Sequence, residues 1–418
     1  MYKGFKKILI LNVGWSNKGN VALVKSTMDA INTFNPDSKF YLMGKEGNTH
    51  FDDLNVKEQV SLGLSVRKPV YTFGSLFYLL ECSLFFLFRK LNYNLPISKN
   101  SKLYDYSTAD VVVNSGGDTL SGENNFGSSD ILFNILYGIL LGKPTVLYGE
   151  SLGYFDSAIM NSFFKLVVNQ TNLILVREEL SKRQLDAMGV TKPKICLTAD
   201  PAFNLKKTSK EDVYDILDKE GIKTIEKPII TINPSGLISR FIGNGDSLGK
   251  MRFYEILAEI IDDLVERLNV NVILLPHVYT PGLDDRKAID LIFNKIKNKS
   301  DVHTIKGEYN PEDLKGIIRL SDLFIGMRMH SMIAATSQCV PTVAIAYSHK
   351  TRGIIGKMLE MEEYVLDINN LDYETLISKI NNAWNNREEI RKEFEKKIPE
   401  IKNKAMCNGK LVAEFLVD

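Results

Sequence analysis

Short apolar runs alternating with longer stretches of helical period are what most limits how this chain folds. The first series of runs covers residues 7–13, 40–43, 110–114, 145–148, 173–177 and 194–197, bounded by Gly, Pro, Asn or Asp. Parallel strands buried on both faces read this way, without the in–out alternation of a half-exposed sheet. Helix candidates lie between them at 20–34, 130–141 and 178–188, the last running into Gly189, a usual helix stop. After Asp200-Pro201-Ala202-Phe203 comes a polar segment, residues 204–227, with one helix candidate at 210–220. The pattern then restarts, with strands expected at 228–233, 272–275, 323–326, 342–346 and 364–366. Phe253, Ile256, Leu257, Ile260, Ile261, Leu264 and Leu268 mark one face of a helix at spacings of three and four. Two successive strand–helix series predict an α/β protein with two doubly wound, Rossmann-like domains. The expected division is a domain over 1–205, a linker over 206–227, a second domain over 228–384 and a charged helical tail over 385–418, broken at Pro399.

Composition narrows the function classes. The 52 Lys and Arg against 51 Asp and Glu leave a formal charge of +1, which argues against a nucleic-acid partner. Cys82, Cys196, Cys339 and Cys407 are too sparse for a disulfide scaffold and form no Cys-x-x-Cys, so a reducing, cytosolic setting is expected. With five histidines, a structural zinc site is not expected either. The apolar run 8–11 is too short for the core of a signal peptide. Residues 70–88 form a 19-residue apolar stretch ending at Arg89-Lys90, near the lower limit for a membrane span. Glu81 at its centre is costly in lipid, so a buried helix is the first expectation, a helix at the membrane interface the second and a span the third.

Ligands of open parallel sheets bind at the carboxyl ends of the strands, so the residues that follow each strand carry the chemistry. The first such loop holds Asn17 and Gly19 and opens a helix, where backbone N–H groups can hold an anion or a sugar. The paired glycines Gly116 and Gly117 permit close approach of a ligand, and Asp118 beside them is placed to take a hydroxyl proton. Glu150 follows the next strand, and Arg177 ends the one after, with Ser181 four residues on. The strongest local signal is Arg328-Met329-His330-Ser331. It offers a bidentate cation, a group titrating near neutrality and a helix start at 332 with Ser331 as N-cap. That combination suits a small dianion beside an acid–base group. Lys350 adds a cation after the next strand, and His277, with Asp284 and Asp285 nearby, is a weaker candidate for ligand contacts. Nothing demands a metal or a cofactor.

Taken in order, these residues resemble the polysaccharide pyruvyl transferase family from the first glycine loop to about Gly356. The matching pieces are residues 17–20, 115–118, 151–154, 176–178 with Ser181, 200–203, 328–330 and 347–350. Asn20 stands where the family has Asp, Ser115 where it has Gly, and Tyr154 where it has Pro. The resemblance implies a two-domain fold similar to GT-B glycosyltransferases, the first domain on the acceptor side and the second on the donor side. It also implies transfer of the enolpyruvyl carbons of phosphoenolpyruvate, the donor substrate, onto two hydroxyls of a glycan or lipid-linked sugar. The product would be a cyclic ketal, made in surface polysaccharide biosynthesis at the inner face of the membrane. In that reading Arg177, Arg328, Lys350 and Ser331 bind the donor, His330 is the acid, and Asp118 or Glu150 the base. Asn17, Gly19, Gly116, Gly117 and His277 line the substrates. A nucleotide-sugar glycosyltransferase and a non-catalytic polysaccharide-binding homologue remain as alternatives. Arg328→Ala is expected to lose activity and keep the fold.

Overall fold

The computed structural model describes residues 5–44, 56–61, 69–93, 95–101, 103–122, 125–223, 226–237, 247–347 and 349–416. The chain divides into two compact units. The first comprises Met1–Trp15, Leu23–Pro201 and Asn403–Asp418, and the second Ser16–Ala22 and Ala202–Lys402.

The first unit is built on seven strands among the described residues. They are β1 (Lys6–Val13), β2 (Ser38–Gly44), β3 (Val56–Ser61), β4 (Val111–Gly122), β5 (Thr145–Phe155), β6 (Leu173–Val176) and β7 (Lys194–Leu197). Their order is β3-β2-β1-β4-β5-β6-β7, and every neighbouring pair is parallel. The second unit has β8 (Ile229–Asn233), β9 (Asn271–Leu274), β10 (Val302–Thr304), β11 (Leu323–Gly326), β12 (Thr342–Ala346) and β13 (Val365–Asp367). Their order, β10-β9-β8-β11-β12-β13, is again wholly parallel. Counted from its own first strand, each unit has the doubly wound order of a Rossmann fold, as the sequence predicts. The physical cause is plain in β1, where Ile8, Leu9, Ile10 and Leu11 are all at most 1% exposed, because helices cover both faces of the sheet.

The structure departs from the sequence reading in four places. β4 and β5 run well past the apolar stretches 110–114 and 145–148, so Gly116 and Gly117 lie within a strand and not in a loop. A Cβ at Gly116 would lie 2.3 Å from the Tyr148 carbonyl oxygen, so glycine there serves close approach of β4 to β5. β3 and β10 were not foreseen; both are edge strands, and Val-Lys-Glu-Gln-Val-Ser and Val-His-Thr lack the apolar signature of a central strand. The helix Arg387–Ala413 is not broken at Pro399. Proline removes one backbone hydrogen bond, and burial of Ile398 and Ile401 on either side of it offsets that loss. The segment 206–227 carries the helix Lys210–Lys219, capped by Ser209, which buries Val213, Ile216 and Leu217 within the second unit.

The apolar stretch 70–88 forms the helix Pro69–Lys90. Cys82 is fully buried in the core of the first unit, and Tyr78 and Leu79 pack against that core. Among the described residues, no helix is long and apolar enough to cross a membrane.

Candidate functional site

The second unit gathers most of the candidate residues at the carboxyl ends of β8, β9 and β11. Asn233 closes β8 and is fully buried. Its Oδ1 accepts from Ser331 Oγ at 2.7 Å and from Arg328 N at 3.3 Å, and its Nδ2 donates to the Leu275 carbonyl at 2.8 Å. Arg328, in extended conformation, occupies the N-cap position of the helix Met329–Thr336. The helix therefore starts three residues earlier than the sequence suggests, and Ser331 is not its cap. Already inside the first turn, its hydroxyl bonds to the Arg328 carbonyl and to Asn233. His330, half-buried, sits in that same first turn, where the helix dipole favours an anion.

Arg328 is fixed by Asp285. Its Nη2 lies 2.6 Å from Asp285 Oδ1, with the guanidinium 8% and the carboxylate 0% exposed. The other carboxylate oxygen accepts from the backbone N–H groups of His277 and Val278, at 3.1 and 2.9 Å. Burial pushes the Asp285 carboxyl up, and the Arg328 charge and the backbone N–H groups of His277 and Gly236 oppose it. His277 is also buried. Desolvation, reinforced by the positive charges of His330, Arg328 and Lys18, pushes its imidazole down to about 3, so it is neutral over the physiological range.

The loop after β1 completes this cluster. Residues Ser16–Ala22 count with the second unit, a pairing across more than two hundred residues that sequence does not announce. Asn17 forms an antiparallel bridge with Val278. Lys18 N donates to the His277 carbonyl at 3.2 Å, and Tyr279 N to the Ser16 carbonyl at 2.8 Å. Asn17 Oδ1 accepts from Gly19 N at 3.0 Å, so its side chain is used by the loop itself at the start of the helix Lys18–Phe34. Gly19 lies against His330, where a Cβ would be 2.3 Å from His330 Nδ1. Lys18 is 8% exposed, and its Nζ pairs with Glu308 at 2.7 Å. Lys350, half-buried, lies on the helical turn His349–Thr351 that follows β12. The cluster thus holds Arg328, His330 and Lys18 around a neutral histidine, at the start of a helix. That environment suits an anionic ligand next to an acid–base group.

In the first unit the candidates form a different arrangement. Asn114 Nδ2 donates to Glu150 Oε1 at 2.5 Å. Arg177 Nε donates to Ser151 Oγ at 2.8 Å, and its Nη1 lies 2.5 Å from Asp200 Oδ2. Glu150, Arg177 and Asp200 are all 0% exposed. Ser181 Oγ bonds to Glu178 and accepts from Leu152 N at 2.7 Å. Asp118 differs: it is exposed on β4, next to Gly117, which pairs with Glu150 across the ladder. Of the two candidate bases, only Asp118 is open to solvent. Arg177, expected as an anchor, is sealed.

Sequence reasoning did not single out Asn233, it gave Ser151 and Asp200 no role beyond the matching pieces 151–154 and 200–203, and it placed Asp285 only as a neighbour of His277. The available signals were weak: a polar residue closing an apolar run in Asn233, and adjacent carboxylates opening a helix in Asp284 and Asp285. Among the described residues, no group of three His, Cys, Asp or Glu side chains is arranged to hold a metal ion.

Comparison with known proteins places this geometry in context. The solved structure of UDP-GlcNAc 2-epimerase from Methanocaldococcus jannaschii has a TM-score of 0.59 at 14% identity, over 91% of this chain and 93% of that one. Anabaena Alr3699/HepE in complex with UDP-glucose gives 0.54 at 11% identity, over 98% and 99%. At such identities the likeness concerns the fold, which is GT-B-like. The amylovoran biosynthesis protein AmsJ of Erwinia amylovora is 25% identical over 286 residues, 67% of each protein. The model of the polysaccharide pyruvyl transferase family matches residues 17–349, a span that runs from Asn17 through Arg328 and His330. The chain belongs to the polysaccharide pyruvyl transferase family.

Proposed function

We propose that this protein transfers the enolpyruvyl carbons of phosphoenolpyruvate to two hydroxyls of one sugar, forming a cyclic ketal and releasing phosphate. The acceptor is a glycan or lipid-linked sugar of surface polysaccharide biosynthesis, used on the cytoplasmic side of the cell membrane. The observation that carries this reading is His330 lying beside Gly19 at the start of a helix whose N-cap is the buried, ion-paired Arg328.

The chemistry divides as follows. A proton is added to the methylene carbon, and one hydroxyl oxygen bonds to the neighbouring carbon. The second hydroxyl oxygen then displaces phosphate at that same carbon, and its proton leaves with the phosphate. His330 is the acid that supplies the first proton. Arg328, Lys350 and the N-terminal turn of Met329–Thr336 hold the carboxylate and the phosphate and stabilise the charge on the departing group. Neutral His277, Ser331, Asn17 and Gly19 shape the pocket without adding charge. Asp118, exposed on β4, is the base for the acceptor. Glu150 and Arg177, both sealed, position the strands around it.

The test is transfer itself. Phosphoenolpyruvate and a candidate acceptor glycan are incubated with the protein, and phosphate release and the ketal methyl signal are followed by NMR. His330→Gln should lower both by roughly 10²–10⁴-fold while phosphoenolpyruvate still raises the melting temperature. Unchanged turnover in that variant removes His330 from the chemistry. A melting shift with UDP and none with phosphoenolpyruvate removes the reaction.

A further inference from the structure

The helix Pro69–Lys90 has two faces, and only one is explained by the core. Tyr78, Leu79 and Cys82 face inward. Phe77, Leu80, Leu84 and Leu87 are 63%, 62%, 51% and 57% exposed, at spacings of three, four and three that place them along one outward stripe. Leu91 and Tyr93, each 67% exposed, follow the helix. A run of large apolar side chains of this length on a helix face left open among the described residues needs an apolar neighbour.

What lies at the end of the stripe identifies that neighbour. The last turn carries Arg89 and Lys90, both placed over the ring of Phe86. Beside them a cavity of about 460 Å³ is lined by Arg89, Lys143, Phe85, Tyr93, Leu95 and Ile97. Two cations thus share a pocket whose remaining named walls are aromatic and aliphatic. Arg89 lies directly over Gly142, where a Cβ would be 1.2 Å from a guanidinium nitrogen, so the guanidinium fills the space that a side chain at residue 142 would take. Burial, then the positive charges of Arg89 and Lys7, lower the proton affinity of Lys143 against the pull of Asp110, a crowding that a bound anion relieves.

We propose that this face is a membrane-docking surface: the stripe from Phe77 to Leu87 enters the interface of an anionic lipid bilayer, and the Arg89–Lys143 pocket takes a lipid phosphate headgroup. An apolar helix face with cations at its end is the arrangement that lies in the plane of a membrane surface, and anionic lipid supplies the charge it needs. The surface is separate from the reaction assigned above and is tested without it. It also changes which side chains matter. Leu79, at the centre of the apolar run, is on the packed side, and Leu84 and Leu87 are on the open one.

The experiment is co-sedimentation of the full chain with vesicles of phosphatidylcholine alone and with vesicles containing phosphatidylglycerol. Binding is expected only with the anionic vesicles, and it should weaken as salt is raised. The double variant Leu84→Asp/Leu87→Asp should keep its melting temperature and lose about tenfold or more of vesicle binding. Arg89→Gln/Lys143→Gln should lower binding to anionic vesicles to the level seen with neutral ones. The proposal is overturned if the folded wild type stays in the supernatant with anionic vesicles, or if the leucine variant pellets as before. It is equally overturned if the wild type is a dimer in solution that the leucine variant dissociates, since the stripe is then a self-interface.

Discussion

Each unit of this protein ends a central strand in an arginine paired with an aspartate, and the two pairs are used differently. In the first unit, Arg177 follows β6 and pairs with Asp200, both 0% exposed, with Ser151 holding the guanidinium from a second side. In the second, Arg328 follows β11 and pairs with Asp285. The Asp285 carboxylate also takes backbone donors, and the arginine opens the helix that carries His330. The first pair is sealed, and in the proposed reading it serves as scaffold. The second retains an 8% exposed guanidinium beside an acid–base group, in a cluster closed by a loop from the start of the chain. In the proposed reading, this difference in burial separates a scaffold arginine from a ligand anchor.

Breaking each pair sharpens this contrast. Arg177→Ala should cost about 3–5 kcal/mol of unfolding free energy by urea titration, because it strands a fully buried carboxylate. Arg328→Ala should cost less, about 2–3 kcal/mol, because Asp285 keeps its backbone donors, and it should also abolish phosphoenolpyruvate binding. That loss lowers the stability without removing the fold. Arg328→Lys separates the two roles: it should largely keep the stability and still weaken phosphoenolpyruvate binding by about tenfold, since an ammonium cannot replace a two-pronged donor. Equal affinity in the lysine variant would make Arg328 a scaffold like Arg177.

Gly19→Ala tests the cluster without touching a charge. The added methyl forces the His330 ring to move, and turnover should drop by about 10²-fold while phosphoenolpyruvate still binds. The smallest effect comes from His277. Its imidazole is held at about 3 in place of the ordinary 6.5, so the unfolded chain binds more protons between those values. Stability is then full above about pH 6.5 and falls as the pH drops, by about 2 kcal/mol at pH 5. In His277→Gln that acid limb should flatten, as followed by urea midpoints across the pH range. An unchanged acid limb would mean that His277 is not held neutral by the cluster.

The central strands of both units were legible because strands buried on both faces must be mainly apolar, as residues 8–11 in β1, residues 229–232 in β8 and the whole of β11 are. The edge strands β3 and β10 were not, since an edge position does not demand an apolar run and the sequence has Lys57, Glu58 and His303 there. The glycine pair in β4 was read as a loop because single-chain patterns do not reveal which backbone it must approach. Arg328 and His330 stood out as a motif. Their partners did not, because Asp285 is 43 residues from Arg328 and Gly19 is more than three hundred from His330, and such pairings arise only on folding. The sealing of Arg177 was hidden for the same reason, since a strand-end arginine has the same sequence context whether buried or open.

The most direct test of the proposed donor site is titration calorimetry with phosphoenolpyruvate, run beside inorganic phosphate and UDP, on the wild type, Arg328→Lys and Arg177→Lys at a temperature where each is folded. The site assignment predicts phosphoenolpyruvate binding in the wild type, weakened about tenfold by Arg328→Lys and unchanged by Arg177→Lys. Binding that survives Arg328→Lys intact, or that is seen only with UDP, would contradict it.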